Sequence, residues 1–152
     1  MNNEKMKSAL QELIVRLQDS EKGYNEIFNA TDNVIMKNWM NKYAKERHGF
    51  HQDLEKESIN LGGNPEVKTS LLGEIHRVFI DIKINNFEDS IESIVNEIER
   101  GANKLLEDYD KVIIECRSNE KIRTLLEAQR WKINEELKSL TKLREETKEP
   151  VA

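Results

Sequence analysis

The stretch EKMKSALQELIVRLQDSEKGYNEIFN, residues 4–29, decides the fold class. Its apolar residues recur in alternating steps of three and four, which places them on one face of an α-helix. That face consists of Met6, Leu10, Leu13, Leu17, Tyr24 and Phe28, with Glu21 as its one polar member. We therefore predict a first helix over residues 4–29 with a carboxylate in its apolar face.

Three further stretches repeat this pattern. The second predicted helix carries Met36, Trp39, Tyr43, Glu46, Phe50, Leu54, Glu57 and Leu61 on one face. The third carries Phe87, Ile91, Ile94, Ile98, Ala102, Leu105, Tyr109 and Val112, and the fourth Ile122, Leu126, Gln129, Ile133, Leu137, Leu140 and Leu143. Polar residues interrupt or adjoin the middle of these faces at Glu46, Glu99 and Gln129.

The connections predict how the helices are arranged. The Thr31-Asp32-Asn33 turn is short and supplies N-cap acceptors. The Ser118-Asn119 break is also short, so each connection joins two antiparallel neighbours. Gly62, Gly63 and Pro65 end the second helix. A shorter amphipathic segment, Ser70–Ile84, then returns the chain to its starting end. These features predict an all-α four-helix bundle with a short crossover helix between parallel helices 2 and 3. We expect one domain over residues 1–147 and a frayed tail over 148–152.

Composition limits the partners and the compartment. The chain has 152 residues, with 24 basic and 29 acidic side chains mixed along it. It offers no cationic track for phosphates, so we expect no nucleic-acid partner. No apolar run reaches the roughly 20 residues that span a bilayer, so no membrane association is expected. The lone Cys116 suits a reducing compartment, and we expect a cytoplasmic protein.

The inward polar residues raise the question of a metal centre. Glu21, Glu46 and Glu99 are weak ligand candidates, with Gln129 as a polar neighbour. Di-iron bundles also use Glu-x-x-His pairs, and this chain has none. His48 and His51 lie two and five residues after Glu46, off its face, and we expect them to be solvated.

Two interpretations of these residues stay open. They form a partial site for iron or manganese, or they pair with Arg47, Arg100, Gln129 or tyrosine hydroxyls. We favour pairing and expect no cofactor and no stoichiometric metal, because no imidazole completes the ligand set.

Other distinctive residues have structural explanations. We expect His76 to anchor the crossover helix, Cys116 to act as a small apolar residue, and Gly101 to permit a close helix–helix contact. No catalytic motif occurs, so no catalytic residue is predicted. Partners are an unidentified protein or a second copy, with self-association through Ile14, Ile35 or Trp131 as one route.

Short sequence strings in order resemble an uncharacterised bacterial family of ferritin-like four-helix bundles, known mainly as a domain of unknown function. The strings are DSEKGYNE (19–26), YAKER (43–47), LGGNP (61–65), SLLGEIHR (70–77), DIK (81–83) and ERG (99–101), followed by Tyr109. The resemblance implies a ferritin-like fold and a bacterial cytoplasmic protein, and it implies no reaction. Asn103 and Leu137 stand where relatives tend to have an acidic residue and a histidine, which removes two potential ligands.

Together these observations predict a non-catalytic structural or interaction protein that lacks a complete di-metal site. The alternative is a metal-binding or oxidative-stress protein that uses carboxylate ligands.

Overall fold

A computed structural model describes residues 3–64 and 91–148, and the chain is all-α in both ranges. Four helices are present there: α1 (Asn3–Ala30), α2 (Val34–Asn60), α3 (Ile91–Glu115) and α4 (Glu120–Thr147). No strand occurs in these ranges, which confirms the predicted all-α class. The predicted crossover helix Ser70–Ile84, the expected start of helix 3 at Phe87 and residues 149–152 of the tail lie outside the described residues.

Side-chain caps set two of the helix starts. Asn33 Oδ1 accepts a hydrogen bond from the Met36 backbone N–H at 3.0 Å, and Asn119 Oδ1 accepts one from Ile122 at 3.1 Å. Each asparagine satisfies a donor that the first helical turn leaves free. Gly62, with φ of 86°, follows the end of α2 in the left-handed conformation that glycine adopts without strain.

The helices pack as two antiparallel hairpins. α1 packs most extensively on α2 and α3 on α4, while α1 also contacts α3 and α2 also contacts α4. Trp39 Nε1 donates to Ser139 Oγ near the start of α2, and Glu57 pairs with Lys121 near its end, so α2 and α4 are antiparallel. Since α4 is also antiparallel to α3, α2 and α3 run parallel across the bundle diagonal. Asn64 and Ile91 consequently lie at opposite ends of the bundle.

The buried positions follow a stricter heptad than the sequence analysis proposed. In α2 the central series is Met36, Met40, Tyr43, Arg47, Phe50, Leu54 and Glu57, with Ala44, His51 and Ser58 also buried beside it, and in α4 the series is Ile122, Leu126, Gln129, Ile133, Glu136, Leu140, Leu143 and Thr147. Regular alternation of steps of three and four is the spacing of coiled-coil packing. Trp39, Glu46 and Leu137, which were assigned to the inward faces, are partly exposed.

Apolar residues form two clusters along the bundle axis. One contains Leu10, Leu13, Leu17, Phe50, Leu54 and Leu126, and the other contains Tyr24, Ile27, Met36, Met40 and Leu140. In α1, α2 and α4 the change from one cluster to the other occurs at Ser20, Arg47 and Glu136. A polar layer therefore separates the two halves of the core.

Two expectations about packing are wrong. Gly101 does not lie at a close helix–helix contact, because a Cβ placed there meets no atom within 4 Å and the residue is exposed. The inward position belongs to its neighbour Ala102, which is 1% exposed. Ile14 is fully buried, so it is unavailable for self-association, whereas Ile35 and Trp131 are exposed as expected. Within the two described ranges, no helix combines the length and apolarity needed to cross a membrane.

Candidate functional site

The centre of the polar layer is an ion pair between the two hairpins. The guanidinium of Arg47 on α2 faces the carboxylate of Glu136 on α4, with Nη1–Oε1 at 2.8 Å and Nη2–Oε2 at 2.9 Å. The two side chains are 1% and 0% exposed. Only the Nη2–Oε2 contact has hydrogen-bond geometry, so the pair combines one charge-assisted hydrogen bond with a second close contact between the opposite charges.

Two residues of α1 complete the layer. Arg47 Nε donates to Ser20 Oγ at 2.9 Å, and the Tyr24 hydroxyl donates to Glu136 Oε2 at 2.9 Å. Burial raises the pKa of Tyr24, and the Glu136 carboxylate raises it further, so the phenol stays protonated as a donor. Burial, the largest single effect, lowers the pKa of Arg47, but the Glu136 carboxylate together with Tyr24 and Tyr109 outweighs it and the pKa is raised. Arg47 is therefore a permanent cation at the centre of the bundle.

The four polar residues singled out in the sequence have separate partners or surroundings. Glu99 Oε2 pairs with Arg144 Nη1 at 2.9 Å on the surface. Gln129 is buried, accepts a hydrogen bond from the Tyr109 hydroxyl at 2.6 Å and donates to the Phe50 carbonyl at 3.2 Å.

Glu46 is partly exposed, although its Oε1 atom is buried and has no hydrogen-bond partner within residues 3–64 and 91–148. Burial raises the pKa of the Glu46 carboxyl, and the neighbouring Arg47 opposes the rise.

This interior does not fit the di-metal centre that a ferritin-like bundle would carry. Glu99 and Gln129 are occupied by other groups, and Glu21 lies with histidines at the α1–α2 interface. The inward carboxylate of α4 is Glu136, and it is already neutralised by Arg47. A second cation beside a fixed guanidinium would be repelled. Over the described ranges, the interior therefore offers no set of ligands for two metal ions.

A second polar cluster lies between α1 and α2, nearer the surface. His51 Nε2 is 2.6 Å from Glu21 Oε1, and His48 Nδ1 is 3.0 Å from Glu21 Oε2. The two imidazole rings are 4.9 Å apart. One potential ligand atom from each residue lies within 4.8 Å of the other two, and this is the one such group of His, Cys, Asp or Glu that the described residues form.

The expectation that both histidines are solvated is wrong for His51. It is 8% exposed, whereas His48 is 49% exposed. The sequence prediction relates both histidines only to Glu46, which is on the same helix. It leaves out that His48 and His51 are three residues apart and therefore lie on one face of α2. In an antiparallel helical hairpin, residues that are equally far from the turn in sequence lie at about the same height along the two helices. Counted outward from Asn33, Glu21 lies 12 residues back and His48 and His51 lie 15 and 18 residues forward, so the count places Glu21 within about one to two helical turns of this pair.

Glu55 holds the other side of His51. Its Oε1 atom lies 3.1 Å from His51 Nδ1 and also accepts a hydrogen bond from Gln18 Nε2 at 3.1 Å. The imidazole of His51 is consequently fixed between two carboxylates, one on each ring nitrogen. Glu55 lies one turn after His51, and the sequence analysis did not select it.

A pocket of about 380 Å³ opens between α1 and α3 at the level of the polar layer. Its lining comprises Arg16, Ser20, Tyr24, Glu97, Ile98, Arg100, Gly101, Lys104, Leu105 and Asp108. Asp108 pairs with both Arg16 and Lys104, at 3.2 and 3.3 Å, and Arg100 pairs with Glu97. The charges of the pocket thus largely neutralise one another.

The remaining candidates show no arrangement for chemistry. Cys116 is fully buried, and burial raises the pKa of its thiol to about 11, which keeps it protonated. Trp39 packs against Tyr24 and Tyr43, while Trp131 is 62% exposed. His76 lies outside the described residues.

Comparison with known proteins gives one match. The profile of a family described as "Domain of unknown function (DUF2383)" matches residues 5–115. The match includes α1, α2, α3 and the whole Glu21–His48–His51 cluster, and it ends before Glu136. No curated protein and no solved structure shows a significant match to the chain.

Proposed function

The chain belongs to the DUF2383 family, and we propose that it is a ferritin-like bundle acting as a structural or interaction protein rather than an enzyme. The observation that carries this proposal is the buried Arg47–Glu136 pair at the centre of the core. In a metal-binding bundle, inward carboxylates neutralise metal cations. Here the guanidinium of Arg47 supplies the positive charge, so the carboxylate of Glu136 is neutralised by the protein itself.

The ferritin-like assignment is supported by the direction of the helices. Two antiparallel hairpins with parallel α2 and α3 require one long connection between opposite ends, as in bundles of that class. We propose that the Ser70–Ile84 segment provides this crossover. The unpaired, buried Cys116 supports a reducing compartment, and we propose a bacterial cytoplasmic protein.

The role of the Arg47–Glu136 pair is tested by removing first one charge and then both. Arg47→Met leaves Glu136 buried without its counter-ion and should lower the free energy of unfolding by about 3–5 kcal/mol in urea titrations. The double variant Arg47→Met/Glu136→Leu removes both charges and should recover most of that loss. As the control, Arg130→Ala breaks the exposed Arg130–Asp110 pair and should change stability by about 1 kcal/mol or less.

Iron loading tests the absence of a central metal. Wild-type protein and Glu136→Gln should retain the same amount of iron after incubation with Fe²⁺ and desalting, and neither should oxidise Fe²⁺ faster than buffer does. Iron retention or oxidation that depends on Glu136 would refute the proposal. Comparing the two proteins isolates the interior, because both keep the surface histidines.

A further inference from the structure

We propose that Glu21, His48 and His51 form a binding site for one first-row divalent transition metal ion, with Zn²⁺ as the best-fitting ion. This site goes beyond the proposed function, which concerns the interior, and it uses side chains at the α1–α2 interface. Two imidazole nitrogens and a carboxylate oxygen are ligands that such ions prefer.

The spacing of the three groups matches what a metal ion requires. Zn²⁺ binds histidine nitrogen and carboxylate oxygen at about 2.0–2.2 Å, so two ligand atoms on one ion lie roughly 3–3.5 Å apart. The observed distances from the Glu21 oxygens are 2.6 Å to His51 Nε2 and 3.0 Å to His48 Nδ1. The two glutamate–histidine distances would have to lengthen by less than about 1 Å, and the two histidine nitrogens, which lie within 4.8 Å of each other, would have to approach by up to roughly 1.5 Å.

Glu55 provides the independent observation that points to a ligand. Histidines that bind metals almost always donate their other ring N–H to a carboxylate, a carbonyl or water, which fixes the tautomer and the ring orientation. His51 Nδ1 faces Glu55 Oε1 at 3.1 Å, and Gln18 holds the same oxygen. The arrangement directs His51 Nε2 toward Glu21 and His48. Glu55 is therefore a positioning residue and Gln18 supports it.

Exposure defines the character of the site. His51 is buried, Glu21 is 23% exposed and His48 is 49% exposed, so the ion would lie at the edge of the helix pair and face solvent on one side. Three protein ligands leave a fourth tetrahedral position for water, which is the coordination that Zn²⁺ adopts in open sites. The site would gain and lose its ion without unfolding the bundle, because the apolar core lies on the other side of α1 and α2.

The test is a titration of chelator-treated full-length protein with Zn²⁺, followed by calorimetry, and a parallel titration with Co²⁺, followed by its visible absorption. We expect one equivalent of Zn²⁺ to bind, and Co²⁺ to give ligand-field bands of a low-symmetry site with nitrogen ligands. His48→Ala and Glu21→Gln should each weaken Zn²⁺ binding at least tenfold. Glu55→Gln should weaken it by about 10–100-fold, the usual effect of losing an outer-shell partner.

The matched control is Glu99→Gln, which removes a half-exposed carboxylate on α3 that pairs with Arg144 and should leave Zn²⁺ affinity unchanged. Circular dichroism checks that each variant is helical. His48 is the most exposed of the three, so His48→Ala tests the site even if His51→Ala fails to fold. The proposal is overturned if the wild type binds no stoichiometric Zn²⁺, or if His48→Ala and Glu21→Gln bind it as tightly as the wild type.

Discussion

Glu46 is the residue next to Arg47, and it is partly exposed with one buried carboxylate oxygen. Burial raises the pKa of this carboxyl in the folded state, so the folded protein binds a proton there more readily than the unfolded chain does. The contribution of Glu46 to stability should therefore fall as pH rises from about 4, the ordinary range of a glutamate, through the raised pKa of the folded state.

Glu46→Gln removes this titration. The free energy of unfolding of the variant, relative to wild type, should increase as pH rises from about 4 and then level off above the raised pKa of the folded state, because only the wild type must bury part of a charge at the higher pH. Urea titrations at several pH values measure the difference. A difference that stays constant with pH, or one that falls, would contradict the assignment.

At the residue scale, the sequence predicted that polar groups enter the core and selected Gln129 correctly, but it missed Arg47 and Glu136. The predicted inward faces pass through Trp39 and Glu46 in α2 and through Leu137 in α4. Alternation that begins with a step of four from Met36 or from Ile122 leads to Arg47 and Glu136 instead, and both are buried. A charged residue at such a position is easily assigned to the surface, because burial of a charge is favourable only with a partner that no local pattern reveals.

The helix limits that lie within the described residues agree with the sequence prediction, because such limits depend on local chemistry. Asn33 caps α2 and Gly62 follows it as expected, and α4 begins after the predicted break at Ser118-Asn119, with Asn119 as its cap. Gly101 is the exception. A glycine in a helix suggested close packing, but whether a neighbouring helix approaches is a tertiary property. Here the pocket between α1 and α3 lies beside it.

Two glycine-to-alanine variants separate these local effects. Gly101→Ala should raise the free energy of unfolding by about 0.5–1 kcal/mol, because the added methyl group meets open space and alanine favours the helix. Gly62→Ala should lower it by about 1–2 kcal/mol, because its φ of 86° is unfavourable for a residue with a Cβ. Urea titration measures both. Equal effects of the two substitutions would contradict the described backbone.

At the scale of the whole molecule, Cys116 reports on the integrity of the bundle. It lies in the turn between α3 and α4, is fully buried and packs in the same cluster as Leu10 and Leu126. Only the thiolate reacts with alkylating reagents, and both burial and a pKa of about 11 suppress it in the folded state.

Alkylation of Cys116 should therefore follow global unfolding. At pH 8 we expect labelling by iodoacetamide in native buffer to be slower by orders of magnitude than labelling in denaturing urea, as measured by mass spectrometry. In a urea series, the labelled fraction after a short pulse should rise with the loss of helical signal. Rapid labelling of the native protein would show instead that the α3–α4 turn opens independently of the bundle.

The ion pair also bears on the order of events during folding. Arg47 and Glu136 are 89 residues apart and belong to different hairpins, so each hairpin can form while its own charge remains hydrated. Docking then removes both charges from water at once. An arrangement that slips along the axis by one turn, or that exchanges the neighbours of α1, would bury one charge alone at a cost of several kcal/mol. We therefore expect the pair to specify the register in which the hairpins dock and to disfavour misdocked arrangements that apolar contacts alone would tolerate.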